Sequence, residues 1–171
     1  MMNISRKILI ATAAATTVSA LASAAFAADN TSTTSVGIDA KIIAPITISA
    51  GTDLNFGTAF NSTAGTVIIS AENARSGTAS VLASSSHSNA TFTVGGTDGQ
   101  LFDVSYTPAV TGYTVDGFTT TGCGKTDVAT LTGFTTSSST CTLNVGATLH
   151  VPANATAGTV SGTLTTTVTY E

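Results

Sequence analysis

Tryptophan is absent from this sequence, proline occurs three times, cysteine twice, and only 8% of the 171 residues carry a formal charge. Each scarcity excludes something. Five basic residues against nine acidic ones give a net charge of −4, which leaves no basic surface to neutralise phosphates or attract an anionic bilayer. No nucleic-acid partner is expected. Disordered segments combine low hydrophobicity with high net charge, whereas this chain is 42% apolar and its mean hydropathy is +0.37. A folded chain of one domain at most is expected.

What is present begins with an address. Arg6 and Lys7 form a charged start, Ile8 to Ala25 is an uncharged alanine-rich run, and Ala25-Phe26-Ala27 is a small-x-small cleavage site. Residues 1–27 therefore read as a secretory signal. Thr12, Thr16, Thr17 and Ser19 dilute the run, which favours removal over a permanent anchor. No later segment is apolar enough to span a bilayer as a helix. The mature chain is expected to start at Ala28, with 144 residues and three basic against nine acidic side chains, a balance of −6.

Export gives the cysteines a meaning. Cys123 and Cys141 are the only intramolecular partners available to each other, across 17 intervening residues, so one disulfide is expected. A loop of that size contributes about 3 kcal/mol in the chain-entropy model. A metal site or catalytic thiol lacks support, because there is no Cys-x-x-Cys and neither His87 nor His150 stands at ligand spacing.

The dominant pattern past residue 28 is alternation with period two. Val36, Ile38, Ala40, Ile42 and Ala44 share one parity, followed after Pro45 by Ile46 and Ile48. Val160, Leu164, Val168 and Tyr170 share a parity near the other end, with Ser161, Thr163, Thr165, Thr167 and Thr169 on the alternate one. Both read as strands with one buried face, and β-branched threonine suits a pleated polar surface. Shorter strand candidates are 53–60, 66–70, 79–83, 90–94, 101–106, 128–134, 142–145 and 148–151. Gly51-Thr52-Asp53, Asn61-Ser62-Thr63, Gly95-Gly96, Asp98-Gly99 and Asp116-Gly117 read as turns between them. No window carries a capped helical stripe. The expected fold is all-β, an antiparallel immunoglobulin-like sandwich. Residues 28–35 are read as a mobile tail, and 135–140 as a loop tip held by the disulfide.

Chemistry is sparse. An enzyme gathers and perturbs titratable groups, and the mature chain spreads nine acids, two histidines, two lysines and one arginine thinly. A triad around Asp103 is no better supported than chance in so serine-rich a chain. Gly158-Thr159-Val160-Ser161-Gly162 places serine one position too late for a nucleophile elbow. Asp98, Asp103 and Asp116 lie near glycines and read as turn residues before calcium ligands. Asn30-Thr31-Ser32, Asn89-Ala90-Thr91 and Asn154-Ala155-Thr156 are sequons that a threonine-rich chain produces by chance. No enzymatic activity, metal or cofactor is expected.

The alternating segment that finishes at Tyr170 is followed by Glu171 alone. A sandwich whose last strand has no successor leaves an unpaired edge over an apolar groove. Val36 to Ile43 offers a spare alternating segment, and an extended segment can add to an open sheet edge by main-chain hydrogen bonds. The stretch Leu149 to Thr163, the ending Val168-Thr169-Tyr170, and Ala44-Pro45-Ile46-Thr47-Ile48 followed by Asp53-Leu54-Asn55-Phe56-Gly57 resemble secreted bacterial pilin-like domains of a poorly characterised family. Through that family the chain is similar to chaperone-usher fimbrial subunits of the common-pilus type. Tyr170 is penultimate and Gly158 is fourteenth from the end, which resembles the terminal motif of those pilins. Cys123 and Cys141 fall later than the usual pilin disulfide, and Gly37 falls on the outward parity.

The chain is thus expected to divide into the signal peptide at 1–27, an N-terminal extension or candidate donor strand at 28–44 and a sandwich domain over 45–171, which the resemblance implies to lack its final strand. It implies Val36, Ile38, Ala40 and Ile42 as the donor face and Val160, Leu164, Val168 and Tyr170 as the border of the acceptor groove. The partners implied are copies of itself or related subunits, a periplasmic chaperone and an outer-membrane usher of a Gram-negative cell, with passage through the periplasm to a surface fibre and a role in adhesion. The rival reading is a monomeric secreted or periplasmic β-sandwich binding module whose first strand is Val36 to Ile48. A hydrolase is a distant third.

Overall fold

A computed structural model describes residues 31–171. The signal reading of 1–27 lies outside the described residues. A compact unit runs from Ala40 to Glu171. Among the described residues there is no helix, and ten strands follow in order: β1 (Thr47–Ala50), β2 (Gly65–Ile69), β3 (Arg75–Gly77), β4 (Ala90–Gly95), β5 (Leu101–Val110), β6 (Thr114–Gly122), β7 (Lys125–Val128), β8 (Phe134–Thr135), β9 (Thr140–Val151) and β10 (Gly162–Tyr170). All named pairings are antiparallel.

The larger sheet is built on β9. Its first half pairs with β4 and its second half with β2, while β6 runs along its opposite side. β1 lies outside β4, β3 outside β2 and β7 outside β6. The smaller sheet has the order β10-β5-β8. The two sheets share one core: Ala90, Val94, Leu143 and Val145 from the larger meet Phe102, Val104 and Phe134 from the smaller, and all of these are buried. Phe102 and Phe134 stack at 5.7 Å between ring centroids. A second cluster of Val67, Ala79 and Val151 closes the β2 end.

The expected disulfide is present, joining Cys123 after β6 to Cys141 in β9. Alternation is obeyed most regularly in β10. Leu164, Thr166, Val168 and Tyr170 are half-buried, while Thr163, Thr165, Thr167 and Thr169 are exposed.

Several strand boundaries differ from the sequence reading. Residues 36–44 adopt no strand. The stretches 53–60 and 79–83 contribute only the isolated bridges Asn55–Ser88 and Ala59–Val81. Residues 129–133 are a connection between β7 and β8. The candidates 142–145 and 148–151 are one continuous strand. β3, β6 and all of β7 but Val128 fall outside the stretches that the sequence marks as strands. Asp116-Gly117, read as a turn, lies inside β6, where the register with β9 shifts between Asp116 and Thr119. Gly117 there has φ 58°, so the glycine serves a bulge in place of a chain reversal.

Candidate functional site

β1 is the terminal strand of the larger sheet and β10 the terminal strand of the smaller. Among the described residues neither has a strand on its outer side. The two open edges approach one another on the same flank of the molecule. Ile46 and Ile48 on one side, and Leu164, Val168 and Tyr170 on the other, are half-buried and rest on the shared core. The flank thus combines unpaired main-chain donors and acceptors with apolar side chains between them. Open edges of this kind are the sites at which an extended strand can add to a sheet by main-chain hydrogen bonds.

One end of this flank is tied by a tyrosine. The Tyr170 hydroxyl accepts from the Thr97 backbone N–H at 2.8 Å and donates to the Ala44 carbonyl at 3.1 Å. Ala44 N–H donates in turn to Thr97 Oγ1 at 2.7 Å, and the Lys41 ammonium donates to Gln100 Oε1. The loop between β4 and β5 therefore holds the segment 41–44. Gly96 makes this approach feasible, since a Cβ at that position would stand 2.3 Å from the Tyr170 hydroxyl oxygen.

The other residues singled out from the sequence are placed as follows. Val36, Ile38 and Ile42 are 82%, 94% and 93% exposed, and Ala40 is exposed as well. Leu164 and Val168 line the inner face of β10. Val160 is 41% exposed and belongs to neither apolar cluster; with Gly158 it lines an open cleft of about 490 Å³ beside Tyr113. Thr166, on the same inner face as Leu164 and Val168, has a buried hydroxyl oxygen with no hydrogen-bond partner among the described residues. Sequence reasoning missed Gly96, Thr97 and Gln100. The Asp98-Gly99 turn signal located their loop, but nothing in the sequence announces that its side chains grip residues 41–44.

Titratable groups are dispersed. Among the described residues no three His, Cys, Asp or Glu side chains gather as a metal site would require. His150 Nε2 and Asp116 Oδ1 lie 2.8 Å apart on the surface, next to a cleft of about 410 Å³ that includes Thr66, Tyr113 and Thr114. The Thr121 hydroxyl donates to Glu72 at 2.6 Å and is the main cause that holds this carboxyl below its ordinary range. Burial pushes the Tyr106 phenol up to about 12, with its bond to Thr120 acting in the opposite direction.

The fold and the site define a class: an all-β antiparallel domain with one disulfide and two adjoining open edges. Residues 46–170 match the family described as Domain of unknown function (DUF4402), and the chain belongs to that family. No curated protein and no solved structure matches the chain. No helix among the described residues is long and apolar enough to cross a membrane.

Proposed function

We propose that this protein is a structural subunit of a bacterial surface fibre that polymerises by donor-strand exchange. In this reading the two sheets form an immunoglobulin-like sandwich with its last strand position open, and the segment 36–44 of another copy fills it. The protein passes through the periplasm, where a chaperone covers the open flank until an usher hands it to the growing fibre.

The observation that carries the reading is the pair of open edges, β1 and β10, set side by side over half-buried Ile46, Ile48, Leu164, Val168 and Tyr170. A second supports it: Val36, Ile38 and Ile42 are almost fully exposed and share one parity of a segment that joins no strand. Burying such side chains yields about 1.5–3 kcal/mol for each valine or isoleucine, a gain offset in part by the ordering of the segment.

The test is the double substitution Ile38→Asp and Ile42→Asp in the mature protein. It should remove linear multimers from size analysis and electron micrographs while export is retained, because two charges cannot enter an apolar groove unpaired. A peptide of residues 35–44 added to that variant should bind it and raise its melting temperature. Wild-type protein that stays monomeric at high concentration, and gains no stability from the peptide, would replace this reading with the self-sufficient binding module.

A further inference from the structure

We propose that Pro108 closes a second open flank of the domain to strand addition, and so confines main-chain pairing between copies to the flank of β1 and β10. The closure stands on its own observations; its consequence for the fibre rests on the donor-strand reading.

The second flank lies between β5 and β6. β10 pairs with one side of β5 from Phe102 to Val110, but on the other side β8 reaches only Leu101 and Phe102. Val104 N–H donates to the Leu131 carbonyl at 2.8 Å, and beyond it, among the described residues, no strand lies on that side of 105–110. β6 is open likewise: β9 pairs with one side, and β7 meets the other only at Thr120 and Gly122. Between the two edges the half-buried rings of Tyr106 and Phe118 meet at 5.1 Å between centroids. Six residues of strand span about 20 Å. This flank therefore offers length, open backbone and apolar side chains, the same features found at β10.

The sequence blunts both of its edges. The β5–β10 ladder runs without a shift from Gly162 opposite Val110 to Tyr170 opposite Phe102, and in an antiparallel ladder successive residues turn their main-chain groups alternately toward the partner and away from it. Val104 faces away, toward Leu131, whereas the Leu101 carbonyl faces the end of β10 and accepts from the Glu171 N–H at 3.2 Å. Residues 104, 106, 108 and 110 therefore turn their main chain to the open side. Pro108, opposite Leu164, is the middle one of the last three. It removes no bond from the ladder with β10, yet it withdraws the central N–H from the open edge. Its ring stands where the carbonyl of an incoming strand would seek that hydrogen. Across the flank, β6 carries the exposed Asp116 and the bulge at Gly117, and charges and bulges discourage pairing at an edge. β10 has no proline, no charge and no register shift over Gly162–Tyr170.

The experiment introduces Pro108→Val and, separately, Pro108→Ala into the mature protein carrying Ile38→Asp and Ile42→Asp. In that parent the donor segment is already disabled, so the comparison does not depend on whether the wild type forms fibres. Both substitutions restore the outward N–H, and alanine does so without apolar bulk. Cooperative unfolding in denaturant identifies the variants that fold. Association is read by size analysis, and amide exchange at positions 106, 108 and 110 is read in multimer and monomer. The concentration of half-association should fall about fivefold or more, the worth of one hydrogen bond of ordinary net strength, with these amides protected in the multimer alone. Folded variants that stay as monomeric as their parent overturn the closure, and so do multimers that leave the three amides unprotected, because these assign association to another surface. A wild-type protein that forms no multimers overturns the donor-strand reading and the confinement drawn from it, while the closure is still decided by the two variants.

Discussion

Among the described residues, Tyr106 is one whose ionisation is coupled to the fold by burial. Its ring sits against Phe118 at 5.1 Å between centroids, and its hydroxyl shares a 2.9 Å hydrogen bond with Thr120, a fully buried residue. Burial raises the phenol to about 12, above the ordinary value near 10 in an unfolded chain. The folded state therefore holds the proton more tightly than the unfolded state does. The resulting stabilisation is fully present below about pH 10 and is lost as the pH climbs toward about 12. Denaturation midpoints of the wild type should fall steeply across that interval, and Tyr106→Phe should flatten the decline. At neutral pH the same variant should be weaker by about 1–3 kcal/mol, because the Thr120 hydroxyl loses its partner in the core. A decline of equal steepness in both proteins would assign the alkaline transition to another group.

Gly146 governs the largest element. It stands in β9 between Val145, which pairs with Ala90 of β4, and Ala147, which pairs with Ile69 of β2. Here β9 exchanges one neighbour for the next, and the backbone of residues 69–71 passes so close that a Cβ on Gly146 would lie 2.3 Å from the Ile69 carbonyl oxygen. The obstacle is main chain, which cannot rotate away as a flexible side chain does. Gly146→Ala should therefore cost about 3 kcal/mol, the upper part of the usual range for overpacking, measured by chemical denaturation; a loss under about 0.5 kcal/mol, the range of an ordinary surface change, would show that the crossing relaxes. The same glycine explains a boundary that the sequence obscures, since it divides one long strand into two apparent short ones. Asp116-Gly117 hides β6 by the same route, because a bulge and a turn use the same residues. β10 was legible because one face rests on the core and the other meets solvent, which writes a period of two into Leu164 to Tyr170. The stretch 53–60 was not, because its apolar residues Phe56 and Ala59 serve the second cluster through isolated bridges without a ladder. Of the candidate site, the inner face of β10 could be read from alternation. The grip of Thr97, Gln100 and Tyr170 on residues 41–44 joins positions far apart in sequence by single hydrogen bonds, and such contacts leave no periodic trace.

The charge distribution of the whole chain constrains how copies would meet in the proposed fibre. Neither β1 nor β10 carries a charged residue, and on the proposed donor segment Asp39 and Lys41 fall on the parity opposite Val36, Ile38, Ala40 and Ile42. Association by the proposed strand exchange would draw on apolar burial and main-chain hydrogen bonds, with no ion pair formed or broken at the contact. Interactions between exposed charges are screened over about 10 Å at 0.1 M salt and about 3 Å at 1 M, so an assembly steered by charge slows steeply as salt rises. The rate of multimer formation by the proposed mature protein should therefore not fall as salt rises across that range, since screening only relieves repulsion between copies of net charge −6, while Ile38→Asp with Ile42→Asp suppresses it at every salt concentration. A rate that falls tenfold or more with added salt would assign the contact to charged surface such as His150 and Asp116, and would move the interface away from β10. Measuring salt dependence together with the double variant separates the two origins of association, because strand addition through the apolar flank combines a rate that does not fall with ionic strength with intolerance of a charge on the inserted face.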